Sequence, residues 1–91
     1  MQTVTVGLDL GDRYSRYCRL DEAGKIVEEG RVRTEVDALR AQFKGEPARI
    51  VLEVGTHSPW VSRLLQELGH EVIVADPFFR ADVLDAQPLS D

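Results

Sequence analysis

Asp9 closes the apolar run "TVTVGLDL" and is followed at once by a leucine and a glycine. Glu53 stands in the same place at the end of a second apolar run, "ARIVLEV". A carboxylate so placed is costly to desolvate unless something compensates it. Two carboxylates held side by side repel until a cation or a proton lies between them. Oxygen donors with open positions suit Mg²⁺ or Mn²⁺, which keep waters and accept phosphate oxygens from a substrate. The structural alternative makes Asp9 the start of a turn with Gly11, and Glu53 a partly exposed charge at a strand end. The residues alone leave these two readings even. Asp12 reads as a turn residue and a weaker candidate. Asp82 and Asp85, spaced i, i+3 in "RADVLDA", share a face if that segment is helical, although acids also suit a helix's first turn. His57, close to Glu53, is either a supporting or substrate-contacting group or a polar residue at a helix start. His70 reads as a surface residue just past a helix C-terminus.

For the two carboxylates to meet, their strands must be neighbours. Residues 3–10 predict a strand, and "SRYCRL" predicts a second. "DEAGK" is a turn in which Gly24 is free to take positive φ. "IVEEGRVRT" predicts a third strand with a bulge at Gly30. The period then changes. Thr34, with Asp37 three residues on, resembles a capping box. Val36, Leu39 and Phe43 follow at helical spacing, and Gly45 with Pro47 stops the helix. "ARIVLEV" reads as a strand covered on both faces. Ser58 caps a second helix with Pro59 at its first position. Val61, Leu65 and Leu68 form its buried stripe, Trp60 and Leu64 widen it, and Gly69 ends it. "HEVIVAD" predicts the fifth strand. The order β-β-β-α-β-α-β predicts a mixed five-stranded sheet flanked by helices, the ribonuclease-H-like arrangement, with strand one between strands two and four. The C-terminal ends of strands one and four then lie roughly 4.8 Å apart.

The 91 residues are enough for one domain with a single core. No run approaches the roughly 18 apolar residues of a membrane span, and the N-terminus lacks a signal peptide's pattern. A cytoplasmic protein without a membrane partner is expected. The single Cys18 excludes an internal disulfide and reads as a small apolar strand residue. The net charge of −5 bears on partners, because surfaces that hold nucleic acid are usually basic. Binding of DNA or RNA would require positive charge from other segments, from subunits or from divalent metal.

Three stretches, "VGLDLGDRYSRYCRLDEAGKIVEEGRVRT", "IVLEVGTHSPWVSRLLQELGHEVIVADP" and "RADVLDAQPL", resemble the N-terminal catalytic domain of DEDD-type transposases of insertion sequence family 110. The resemblance is dense over residues 4–77 and thin beyond them. It implies a RuvC-like ribonuclease-H fold, four metal-binding acids, recombination of DNA and, in some members, a guide RNA. It puts the acids on Asp9, Glu53, Asp82 and Asp85, the last two after an unusually short connection. Residues 1–77 would form the domain and 78–91 a shortened tail, helical or disordered, with Pro88 unsuited to a continuing helix. The family's serine-bearing C-terminal domain is absent, so a truncated form with little activity alone and weak Mg²⁺ or Mn²⁺ binding is expected. An alternative from another class is a non-catalytic assembly module that pairs with a recombinase or with itself. Phe78 and Phe79, adjacent in the tail, favour a homodimer or a swapped C-terminal arm if exposed, the alternative being that both rings fold back onto the sheet. A second alternative takes "GLDLG" as the first phosphate loop of the sugar-kinase, actin and heat-shock ATPase superfamily, which also follows a strand and precedes an antiparallel hairpin.

Overall fold

Alternating and continuous apolar runs become strands here, and the helical-period segments become helices, in the predicted order. The structure is a computed structural model that describes residues 4–76. Its elements are β1 (Thr5–Asp9), β2 (Tyr14–Leu20), β3 (Ile26–Arg33), α1 (Val36–Phe43), β4 (Arg49–Glu53), α2 (Ser58–Glu67) and β5 (Glu71–Ala75). The strands form one sheet in the order β3-β2-β1-β4-β5. β1, β2 and β3 pair antiparallel, while β4 is parallel to both β1 and β5. The chain is a small α/β unit with a five-stranded mixed sheet, and β1 lies between β2 and β4 as expected. Among the described residues, no helix is long and apolar enough to cross a membrane.

The hairpin turn is built by Asp21. Its carboxylate accepts the backbone N–H groups of Ala23 and Lys25, each at 2.9 Å, and Gly24 takes φ 83°. The expected bulge is displaced. Arg19 faces Glu28 while Leu20 faces Ile26, so the extra residue is Val27. Gly30 remains in register opposite Tyr17 and is needed for another reason. A Cβ there would lie 2.6 Å from the Tyr17 hydroxyl oxygen, so the missing side chain makes room for the ring. That ring packs edge-on against Phe43 at 5.7 Å.

The core gathers Val6 and Leu8 of β1, Tyr17, Val32, Ile50 and Leu52 of the other strands, Leu39 and Phe43 of α1, and Val61, Leu64 and Leu65 of α2. These strand residues share one face, so both helices lie on that face. Burial of each aliphatic side chain contributes roughly 1.5–3 kcal/mol. The expectation of a doubly covered β4 is therefore corrected. Ile50 and Leu52 are 0% and 1% exposed, whereas Val51 between them is only half-buried. Among the described residues, no helix covers its side of the sheet.

Three polar expectations also change. Thr34 does not cap α1, which begins after Glu35 without a side-chain cap. Its buried hydroxyl lies 2.8 Å from Ser15 Oγ, satisfying a second buried hydroxyl under the helix start. Ser58 is the first residue of α2 rather than its cap, and His57 takes the cap position. The Ser58 hydroxyl accepts the Gly55 N–H at 3.0 Å and donates to the Gly55 carbonyl at 2.9 Å, which closes the loop after β4. His70 is buried, not a surface residue. Its Nδ1 accepts the Ala48 N–H at 3.0 Å, and its Nε2 lies 2.6 Å from the Phe43 carbonyl. The acceptor role of Nδ1 puts the ring proton on Nε2, so one neutral imidazole joins the end of α1 to the approach to β4.

Candidate functional site

The parallel register pairs Leu8 with Leu52, so the next residues, Asp9 and Glu53, stand side by side at the C-terminal ends of β1 and β4. Both are exposed. The sequence expectation that these two acids meet is met by the sheet. Asp82, Asp85, Phe78 and Phe79 lie outside the described residues, as do the tail and any contact it makes.

Two hollows adjoin the pair. The larger, about 830 Å³, runs over the open face and is lined by Asp9, Glu53, Arg16, Arg31, Glu29 and the small residues between them. The smaller, about 180 Å³, lies at the strand ends between the loops after β1 and β4, bounded by Asp9, Glu53, Asp12 and His57. The loop after β1 is tight at Gly11, where a Cβ would collide with the Tyr14 carbonyl.

His57 organises the smaller hollow. Trp60 Nε1–H donates to His57 Nδ1 at 3.0 Å, and the two rings meet edge to face with centroids 6.0 Å apart. The ring proton therefore sits on Nε2, which donates to Asp12 Oδ1 at 3.2 Å. Asp12 is otherwise open to solvent, its side chain 95% exposed. The loop after β1 is thus tied to the start of α2. Reading Asp12 as a turn residue missed this. The only sequence signal was the His57–Trp60 spacing of one helical turn.

Among the described residues, no three His, Cys, Asp or Glu side chains converge on a common point. The protein offers Asp9 and Glu53 as a two-carboxylate mouth. That donor set fits Mg²⁺ or Mn²⁺, which are commonly held by one or two carboxylates with waters and phosphate oxygens completing the shell.

No protein-family model matches the chain, and no curated protein matches it. Three solved structures to which it is similar come from Aquifex aeolicus. One is a PPX-GPPA enzyme, at 17% identity over 85% of this chain and 37% of that one, with a TM-score of 0.46. A second, described as a member of the Ppx/GppA protein family, gives 17% identity, 85% and 36% coverage and a TM-score of 0.46. A third, the type II variant of the Ppx/GppA phosphatase, gives 18%, 82%, 36% and 0.43. The chain spans little more than a third of their length. The expectation of a DEDD-type transposase domain is corrected by these findings, since no family model or curated relative matches and the three similar structures are described as Ppx/GppA proteins, one of them as a phosphatase. The physical reason lies in what carried the resemblance. "GLDLG" and "VLEVG" encode two strand ends with their following loops, and any sheet of this order needs such ends whatever its reaction.

Proposed function

We propose that the chain is a phosphate-handling subdomain in which Asp9 and Glu53 hold one Mg²⁺ or Mn²⁺ against a phosphate of the ligand. The finer fold in this reading is ribonuclease-H-like, in the version used by sugar kinases, actin and heat-shock ATPases, with "GLDLG" as the first phosphate loop. The observation that carries the reading is the β1–β4 register, which sets the two carboxylates side by side on a face free of any described helix. A cytoplasmic setting, where Mg²⁺ and phosphate compounds coexist, accords with it.

Each residue then has a task. Asp9 and Glu53 supply oxygen donors and relieve their mutual repulsion when the cation arrives. The cation, when bound, neutralises charge on phosphate oxygens. His57, fixed by Trp60, orients Asp12 at the lip of the smaller hollow, where that carboxylate can accept a proton from an entering water.

Thermal melting with Mn²⁺ and Mg²⁺ tests the proposal. Metal bound to the folded state alone raises the melting temperature with concentration. Mn²⁺ should act at lower concentration than Mg²⁺, being less strict in geometry and more tightly bound by such ligands. Asp9→Asn should abolish the shift while leaving the metal-free protein at least as stable, since one of two repelling charges is gone. A wild-type curve unmoved by millimolar Mn²⁺, or an Asp9→Asn protein that responds like wild type, removes the reading.

A further inference from the structure

Four charged residues stand at one level of the sheet. Arg31 pairs with Arg16, Arg16 pairs with Asp9, and Glu53 lies beside Asp9 on the next strand. The order across four strands is two cations followed by two anions, all lining the larger hollow. At roughly 4.8 Å per strand, the middle of the arginine pair lies about 10 Å from the middle of the carboxylate pair.

Like charges directly opposite on antiparallel strands are unfavourable, and Arg16 and Arg31 are such a pair. Of the five arginines on the strands, Arg19, Arg33 and Arg49 each have an acidic partner, but neither Arg16 nor Arg31 forms an ion pair with a described residue. The contrast is informative because acids outnumber bases 16 to 11 in this chain, and Glu29 lines the same hollow without pairing with either arginine. Arg31 is instead laid over the Tyr14 ring at 4.3 Å, which steadies its guanidinium without neutralising it. The floor below is low, for Gly7 has no atom within 4 Å of where its Cβ would be.

We infer that Arg16 and Arg31 form an anion subsite for the far end of a small ligand with at least two linked phosphates, the near phosphate meeting the cation at Asp9 and Glu53. The near end rests on the metal reading above, and the far end does not. Guanidinium groups hold phosphate oxygens through paired N–H donors. A single phosphate fills one end only. The chain's net charge of −5 opposes the extended contacts of a nucleic acid, which favours a small ligand.

Calorimetric titration of the 91-residue chain with pyrophosphate and with orthophosphate, in EDTA and in Mg²⁺, separates the two ends. In EDTA, pyrophosphate should bind weakly through the arginines. Arg16→Gln and Arg31→Gln should each weaken it at least fivefold, whereas Arg40→Gln, an exposed change on α1, should leave it unaltered. Mg²⁺ should tighten pyrophosphate at least tenfold in wild type and not in Asp9→Asn. Equal pyrophosphate affinity in wild type and the Arg16→Gln/Arg31→Gln double variant overturns the subsite. Arginine dependence without any Mg²⁺ effect keeps the subsite and overturns the metal reading. Orthophosphate binding as tightly as pyrophosphate in Mg²⁺ overturns the two-phosphate ligand. Displacement of pyrophosphate by a short single-stranded DNA at a lower phosphate concentration overturns the choice of a small molecule.

Discussion

The two faces of this sheet are written in alternate residues of the same strands, yet they are built on opposite principles. On the helix-covered face, Val6, Leu8, Ile50 and Leu52 are sealed by α1 and α2, and the buried side chains of Ser15, Thr34 and His70 each have a partner close by. On the open face, Gly7, Asp9, Val51 and Glu53 alternate with them, and Arg31, Arg16, Asp9 and Glu53 run across four strands as two cations followed by two anions. Stability and recognition are thus separated by a one-residue offset. A change at one position tests the fold, and a change at the next tests the site.

The largest test of that separation is a pair of truncations on β4. Leu52→Ala should cost about 3 kcal/mol in urea unfolding, as a buried leucine does, while Val51→Ala should cost under about 1 kcal/mol. Equal losses would mean that the open face is covered after all. The glycines extend the comparison. Gly30→Ala drives a methyl into Tyr17 and should cost about 2 kcal/mol. Gly7→Ala meets open space and should be neutral or stabilise by about 0.5 kcal/mol, because alanine is better suited than glycine to a strand interior. The histidines repeat the pattern on polar ground. His70→Ala strands the Ala48 N–H and the Phe43 carbonyl and should cost about 2 kcal/mol. His57→Ala, near the open mouth, should cost under about 1 kcal/mol and instead alter any binding that needs Asp12 oriented. Equal melting losses in the two histidine variants would erase the distinction.

The smallest effect concerns pH. Burial first, and then the hydrogen bond to Glu28, holds the Tyr17 phenol above its ordinary 10.0. A folded-state pKa raised in this way favours the protonated phenol. Its contribution is fully present below the unfolded pKa and is lost as pH rises through the folded one. Tyr17→Phe should therefore flatten the alkaline loss of stability above about pH 10 relative to wild type. A variant curve parallel to wild type would break the link.

How far the sequence exposes these features depends on how local their causes are. The element order was legible because alternation in "TVTVGLDL", the helical period after Thr34 and the apolar run at "ARIVLEV" are each complete within a few residues. The meeting of Asp9 and Glu53 followed from that order. The open face was not legible, since Val51 is as apolar as Ile50 and an apolar run does not report which side a helix will take. Gly30 showed as an irregularity, but the demand for it comes from Tyr17 on another strand. His57 meets Asp12 across 45 positions, and His70 meets Ala48 and Phe43 across 22 and 27. Such pairings leave no periodic trace. The transposase resemblance went astray on the same ground, reading strand ends that the topology requires as marks of one reaction.

The mixed pairing of β1 also sets an order of events during folding. Its antiparallel edge is met by β2 through a short loop, and hairpins of this kind form in about 1–10 μs. Its parallel edge waits for β4, which is synthesised only after the hairpin region and α1. A nascent chain that has reached the end of α1 therefore carries β1 with one side paired and the other bare. Unpaired strand edges beside apolar side chains are where growing chains associate wrongly. The short interval before β4 emerges is when this domain most needs shielding from its neighbours.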